Sequence, residues 1–149
     1  MESSNRNQLT IRQARLRDAV HIAVLSEQLG YPASHEEMER RLKKIEHDTN
    51  HALFVAEAGG RVIGWIHVLI CPIVIFDLEV EVGGLVVDEE YRRSGAGRLL
   101  MERAEQWACE KGCRAVYLRS NIIRQDARPF YERIGYTVIK TRLAFRKVL

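Results

Sequence analysis

A loop rich in arginine and glycine precedes an amphipathic segment in the second half of the chain. The residues in it with binding chemistry are Arg92, Arg93, Gly95, Gly97 and Arg98. Backbone amides in the first turn of a helix have no partner within the helix and lie at the positive end of its dipole, so they bind anions readily. Glycines let the backbone approach a phosphate closely, and guanidinium groups add charge-assisted hydrogen bonds. This composition predicts a phosphate-binding loop.

Two common phosphate loops do not fit this segment. A P-loop would end in Gly-Lys-Ser or Gly-Lys-Thr, and neither run occurs in the chain. A dinucleotide fingerprint would need a third glycine where Leu100 stands, and its turn would follow the strand at once. Here a polar loop, residues 88–96, separates the apolar strand end from the helix.

Carboxylates that could accept a proton precede this loop on the same predicted strand. Asp77, Glu79 and Glu81 alternate with apolar residues before Gly83 and Gly84. Every second side chain of a strand lies on one face, so these acids share a face. Paired glycines within a strand often mark a bulge or a close approach of another backbone. The same pattern is also typical of acids that only solvate an exposed strand face.

The run Arg92-x-x-Gly95-x-Gly97 after an apolar strand end resembles the acyl-coenzyme A loop of the GNAT superfamily of N-acyltransferases. A second signature of that family follows, Ala127-x-x-Phe130-Tyr131-Glu132-x-x-Gly135-Tyr136. The resemblance runs from Ile11 to Phe145. One position departs from it, because Arg124 stands where the family often has asparagine and Asn121 lies further upstream.

The resemblance implies a binding site for acetyl-coenzyme A as acyl donor, with no metal. Backbone groups of β-strand residues near Leu85 would pair with the pantetheine arm, and the arginine-glycine loop would hold the pyrophosphate. The implied coenzyme contacts are Leu85, Val86, Val87, Arg92, Arg93, Ser94, Gly95, Ala96, Gly97, Arg98, Asn121, Arg124 and Tyr131. Which of Asn121 and Arg124 contacts pantetheine stays open.

The catalytic residues expected from this resemblance are Glu81, Glu79 and Tyr131. An alkyl amine with a pKa of about 10 is mostly protonated at neutral pH, so a base must take its proton. Glu81 is the first candidate for that base and Glu79 the second, with an ordered water as the alternative. Tyr131 matches the position that protonates the departing thiolate in many family members, and it could equally be a core tyrosine beside Phe130. An amide between Gly84 and Val86 would stabilise the oxyanion.

We expect direct transfer in a ternary complex, because no cysteine accompanies a histidine base in this constellation. The acceptor is expected to be a small cationic amine such as an aminoglycoside or a polyamine, because the half of the chain before Tyr91 is acidic. It holds 15 acidic and 9 basic residues, whereas 14 basic and 5 acidic residues follow from Tyr91 onward. A basic protein or peptide tail and a non-catalytic acyl-coenzyme A sensor remain alternatives. The chain lacks the aromatic interleaving of a nucleic-acid binder.

The elements that must position these residues follow from periodicity. Strands are expected at residues 9–14, 52–58, 61–70, 76–87, 115–120 and 136–147, and helices at 19–29, 35–48, 97–111 and 127–134. A strand before and after the third helix forms a β-α-β unit, so the class is α/β (α+β) with a GNAT-like mixed, mostly antiparallel central sheet and about four flanking helices.

The chain of 149 residues is expected to form one domain with a flexible N-terminus at residues 1–8. The first residues contain no apolar segment typical of a secretory signal. The three cysteines are odd in number and lack the paired spacing of a zinc or redox motif, which suits a reducing compartment. A cytoplasmic protein without membrane contact is therefore expected. The apolar loop from Cys71 to Phe76 would be costly to expose to water, which predicts a homodimer.

Overall fold

The computed structural model describes residues 8–120 and 126–149. The chain divides into two compact units, Met1–Leu118 and Arg119–Leu149. Most of the predicted flexible N-terminus lies outside the described residues, as do Asn121 and Arg124. The helices of the described residues include none that is both long and apolar enough to cross a membrane.

The first unit holds a five-stranded sheet in the order β1-β2-β3-β4-β5. Its elements are β1 (Leu9–Gln13), α1 (Ala19–Leu29), α2 (His35–Ile45), β2 (His51–Ala58), β3 (Arg61–Ile70), β4 (Val80–Val87), α3 (Ala96–Glu110) and β5 (Val116–Leu118). Neighbouring strands are antiparallel except β4 and β5, which α3 connects in parallel. The second unit contains α4 (Ala127–Arg133). The predicted mixed, mostly antiparallel sheet with four helices is therefore confirmed.

Helices cover both faces of the sheet. On one face, α1 and α2 pack on side chains of the central strands, including Val55, Trp65 and Val86. On the other face, Leu100 of α3 lies against Gly64, where an added Cβ would meet its Cδ1 at 3.3 Å. Because both faces are covered, β2 and β3 are buried along nearly their whole length. These two long strands form the buried centre of the sheet, and β4 pairs with β3 at its side.

Local sequence signals explain several element ends. The β2–β3 hairpin turns at Gly59 and Gly60, whose φ angles of 58° and 78° suit a tight two-residue turn. Helix α2 begins after Ser34, whose Oγ accepts the Glu37 N–H at 3.1 Å, as predicted. Helix α1 ends at Gly30 with a φ of 98°. Helix α2 ends at Ile45, before the predicted residue 48.

The strand predicted at residues 76–87 begins later than expected, and no strand forms at residues 136–147. Val80 pairs with Ile70, the last residue of β3, and with Val116, the first residue of β5. The preceding residues, 71–79, therefore have no strand of the described part of the chain beside them and remain irregular. Apolar alternation marks a potential strand, but a strand forms only where a neighbouring backbone completes its hydrogen bonds.

Candidate functional site

Among residues 8–120 and 126–149, no strand pairs with the second half of β4 on the side away from β3, so that edge is open. Strand β4 pairs with β3 along its whole length, but with β5 only from Val80 to Val82. The Asp88 N–H donates to the Ile63 carbonyl at 2.7 Å, so alternate residues of β4 point their backbone groups toward β3. By this alternation Leu85 and Val87 direct theirs toward the open edge. An extended ligand can pair with β4 there as an added strand.

The open edge leads to the start of α3. Between them Glu89–Tyr91 forms a short 3-10 turn, which Asp88 caps by accepting the Glu90 N–H at 3.0 Å. The helix begins at Ala96, one residue before the expected Gly97. Gly95 has a φ of 90°, and no atom lies within 4 Å of the position a Cβ would take. The backbone there is therefore open to a ligand.

Some backbone N–H groups at this helix start already have acceptors and two do not. The Ala96 N–H donates to the Ser94 Oγ at 3.3 Å, and the Leu99 N–H donates to the Gly95 carbonyl at 3.0 Å. Within residues 8–120 and 126–149, neither the Gly97 N–H nor the Arg98 N–H has an acceptor. Two adjacent N–H groups at a helix N-terminus suit a phosphate oxygen.

The arginines of the loop are all exposed to solvent. Arg93 has a φ of 66°, a left-handed conformation that costs a non-glycine residue about 1–2 kcal/mol. Arg98 pairs with Glu102 at 3.2 Å on the helix surface. Such exposed pairs contribute less than about 1 kcal/mol, so the Arg98 guanidinium can exchange this partner for a phosphate. The loop thus brings together the predicted coenzyme residues from Leu85 to Arg98.

The bulge predicted at the glycine pair is present in β4. His67 pairs with Gly84 and Val68 pairs with Val82, which leaves Gly83 as the extra residue. Below the bulge, Glu81 pairs with Leu69 of β3 and with Tyr117 of β5. Glu81 is partly buried, and its side chain lies on the α1–α2 face of the sheet, by alternation with the buried β4 residues. It is placed on the strand that carries the open edge.

Glu79 and Asp77 lie before β4 rather than on it. Arg114 reaches both carboxylates, with nitrogen-to-oxygen distances of 3.8 Å to each. The expectation that all three acids alternate along one strand is therefore wrong, since only Glu81 belongs to β4. Glu79 as a base stays a prediction, with its carboxylate engaged by a guanidinium.

Tyr131 belongs to the second unit. Its ring packs edge-on against Phe130, with centroids 5.0 Å apart, and against Tyr136 at 6.1 Å. The Tyr136 N–H donates to the Tyr131 carbonyl at 3.0 Å, and Gly135 ends the helix with a φ of 100°. Both tyrosines and the glycine of the predicted signature are therefore engaged in ending α4 and packing on it. The thiolate-protonating role of Tyr131 stays a prediction.

Two histidines on the α1–α2 face were not singled out by the sequence. His67 of β3 lies over Gly83, with its Nδ1 2.9 Å from the position a Cβ would take. Its Nε2 lies 3.0 Å from the Nδ1 of His51 on β2. Burial, and then the charge of His51, lowers the pKa of His67 to about 4. A glycine opposite a histidine on the neighbouring strand would have drawn attention to this pair. Seeing that the two residues are opposite requires the register of the strands, which the sequence does not give.

Among residues 8–120 and 126–149, no group of three or more His, Cys, Asp or Glu side chains is arranged to hold a metal. Coenzyme A itself fits the described geometry. Its extended pantetheine arm matches the open edge of β4, and its phosphates match the two N–H groups and the exposed arginines.

Comparisons with known proteins agree with this geometry. A family model described as Acetyltransferase (GNAT) family matches residues 18–136. An uncharacterized N-acetyltransferase from Chlorobaculum tepidum is 33% identical over 140 residues, which cover 93% of this chain and 81% of that protein.

Solved structures show the same fold. A transcriptional regulator from Bacillus halodurans has a TM-score of 0.85 and 25% identity, and the match covers 94% of this chain and 100% of that chain. The aminoglycoside N-acetyltransferase AAC(6')-Iy, in complex with a bisubstrate analogue of coenzyme A, has a TM-score of 0.84 and 21% identity over 95% of this chain and 99% of that chain. At that identity, the second likeness concerns the fold alone.

Proposed function

Because this chain belongs to the GNAT family of acetyltransferases, we propose that it moves the acetyl group of acetyl-coenzyme A directly to a primary amine within a ternary complex. The family resemblance read from the arginine-glycine loop is confirmed by the family match over residues 18–136. The enzyme is an acyl-coenzyme A-dependent N-acetyltransferase. The donor, the acceptor and the catalytic residues are the parts that we propose.

One observation carries the proposal for the donor. The free edge of β4 after Val82 runs toward the N-terminus of α3, where the Gly97 and Arg98 N–H groups have no acceptor among the described residues. A ligand that fits must combine an extended polar arm with a phosphate at one end. Acetyl-coenzyme A has both, and the arm would direct its thioester toward the Gly83–Gly84 bulge.

A small cationic amine is the acceptor that the charges favour. Glu81 lies partly exposed beside the bulge, and the residues before Tyr91 include 15 acidic and 9 basic ones. Helix α2, which packs on the same face of the sheet, carries Glu36, Glu37 and Glu39, of which Glu37 and Glu39 pair with Arg41 and Lys43. Carboxylates near a cleft raise the local concentration of a polycation. An aminoglycoside or a polyamine meets this requirement. That the structural relatives include aminoglycoside acetyltransferases supports the same class.

In this mechanism Glu81, or a water that it holds, takes the first proton from the amine, and Tyr131 protonates the departing thiolate. Glu81 is the favoured base because it lies on β4 beside the bulge, whereas Asp77 and Glu79 lie before the strand. A backbone N–H near Leu85 stabilises the oxyanion, an interaction whose loss costs about 3 kcal/mol in other acyl-transfer enzymes.

The donor site is tested by a matched pair of glycine substitutions. Gly95 and Gly112 both have left-handed φ angles, 90° and 73°, and a Cβ at either would meet no atom within 4 Å. Gly95→Ala and Gly112→Ala should therefore destabilise the protein similarly, by about 1 kcal/mol. Only Gly95→Ala should weaken coenzyme A binding in calorimetry. Equal affinities of both variants and the wild type would contradict the assigned site.

The acceptor is tested by thiol release from acetyl-coenzyme A in the presence of an aminoglycoside, spermidine or a lysine-rich peptide. Turnover with one of the two small amines supports the proposal. Turnover with the peptide alone assigns the protein or peptide alternative. Binding of coenzyme A without thiol release from any amine identifies a sensor.

We also propose a cytoplasmic homodimer. Cys71, Cys109 and Cys113 are all free thiols, which suits a reducing compartment. The side chains of Val74 and Ile75 in the apolar loop are 105% and 77% exposed. A second copy of the chain would cover this apolar surface. A Val74→Asp, Ile75→Asp double variant should halve the mass measured by solution scattering without changing coenzyme A affinity. A monomeric wild type would refute the dimer.

A further inference from the structure

The His67–His51 pair is an in-line hydrogen bond between imidazole rings. The nitrogen atoms are 3.0 Å apart, the ring centroids are 5.2 Å apart, and the ring planes differ by 13°. Face-to-face rings with parallel planes could not bring two nitrogens this close. The rings therefore lie nearly edge to edge in one plane, where the N–H of one ring points at the lone pair of the other.

Asp48 favours one direction of this hydrogen bond. Its Oδ2 lies 3.8 Å from the Nε2 of His51, an ion-pair distance that a water can bridge. A carboxylate favours the tautomer with the proton on the facing nitrogen, so the Nε2 of His51 carries its proton and the Nδ1 accepts. His67 must then donate from its Nε2. Its Nδ1 keeps a lone pair.

That lone pair faces the bulge of β4. The Nδ1 of His67 would be 2.9 Å from a Cβ at position 83, which only glycine leaves vacant. Gly83 itself is exposed to solvent. Leu69, two residues after His67 and thus on the same face, pairs with Glu81. No described residue is hydrogen-bonded to this nitrogen of the His67 ring.

We propose that His67, His51 and Asp48 form a proton relay that carries the proton lost by the acceptor amine from the bulge to solvent. This proposal rests on the proposed acetyl transfer. In the reaction an ammonium group loses a proton, its nitrogen bonds to the carbonyl carbon, and the C–S bond breaks with its electron pair on sulfur. The nitrogen then loses a second proton. The thiolate takes its proton from Tyr131, which regains one from the nitrogen as the amide forms. The other proton, first taken up by Glu81 or its water, enters the relay at His67.

The two transfers within the relay follow separations seen in the structure. A proton arriving at the Nδ1 of His67 is matched by release of the Nε2 proton to the Nδ1 of His51, 3.0 Å away. His51 in turn releases its Nε2 proton toward Asp48, whose side chain is 46% exposed. His51 from β2 lies at hydrogen-bond distance from His67, and Glu81 lies on the same face of the sheet, opposite Leu69. Because burial keeps His67 neutral at pH 7, its ring passes the proton on rather than holding it.

The tautomer can be tested without any substrate. Proton–nitrogen correlation spectra of the histidine rings at neutral pH should show His67 protonated at Nε2 and unprotonated at Nδ1. His67→Gln identifies its signals by their loss. The opposite tautomer would leave no acceptor at the bulge and would overturn the relay, whether or not acetyl transfer is observed.

Kinetics test the transfer itself, with acetyl-coenzyme A and whichever small amine the wild type turns over fastest. His67→Gln should lower kcat about 100-fold, a typical contribution of proton transfer, with little change in the KM for acetyl-coenzyme A. His51→Gln should also lower kcat. Added imidazole should restore part of the turnover of His67→Ala. His47→Gln, whose side chain is 91% exposed outside the relay, is the control and should match the wild type.

A folded His67→Gln variant with unchanged kcat would overturn the relay. A loss of turnover in His67→Ala that imidazole does not restore would assign the ring a packing role and would overturn it as well. If the wild type transfers acetyl to no amine, the proposed function fails. The tautomer measurement still decides whether the His67 ring has the arrangement that a relay requires.

Discussion

Acidification should destabilise the protein through His67. Burial, and then the charge of His51, lowers the pKa of this imidazole from 6.5 in the unfolded chain to about 4 in the folded one. Between these values the unfolded state binds more protons, so stability falls as the pH falls through 6.5. The penalty is complete below the folded pKa.

The size of the effect follows from this difference. At 1.36 kcal/mol per pKa unit, the full penalty is about 3 kcal/mol, and about 2 kcal/mol of it is present at about pH 5. A domain of this size has a free energy of unfolding of roughly 5–15 kcal/mol, so it remains folded there. The Asp18 carboxyl does not interfere, because its pKa is lowered from 3.8 and its contribution is lost only at more acidic pH.

The assay is urea unfolding at about pH 7 and about pH 5 for the wild type, His67→Gln and His47→Gln. The wild type should lose about 2 kcal/mol more than His67→Gln between the two conditions. His47→Gln removes an exposed imidazole and should lose as much as the wild type. Equal losses in the wild type and His67→Gln would refute the reasoning that burial depresses the pKa of His67.

Three further outcomes are expected. Tyr131→Phe should lower turnover while leaving coenzyme A affinity nearly intact in calorimetry, and unchanged turnover would remove Tyr131 from the mechanism. Glu81→Gln should lower kcat by about 100-fold, and Glu79→Gln, at an acid engaged by Arg114, should change it far less; the reverse order would exchange their roles. Asp18→Asn should lower the free energy of unfolding by about 2 kcal/mol or more in urea titrations, because Asp18 is buried and accepts hydrogen bonds from the Arg12 side chain and the Arg15 N–H. A change in stability within about 0.5 kcal/mol would show that Arg12 is satisfied by Glu57 alone.

Local chemistry explains which parts of the fold could be predicted from the sequence. The Gly59–Gly60 hairpin, the Ser34 cap and the bulge at Gly83 each depend on a few consecutive residues whose conformational preferences are strong. The residue at which β4 begins, and the absence of a strand at residues 136–147, could not be predicted in this way. Apolar alternation reports the tendency to form a strand, whereas the strand itself depends on whether another backbone lies beside it.

The sequence by itself determined the family and predicted the donor loop, because the glycines and arginines that would approach a phosphate lie close together in the sequence before a helix start. Only the tertiary structure decided which side chains lie over the Gly83 bulge. His51 and His67 meet because β2 and β3 pair in one register, and His67 lies over Gly83 because the bulge in β4 adds one residue at that point. Register is a property of strand pairs rather than of either strand, since a shift of one residue would turn these side chains to the opposite face.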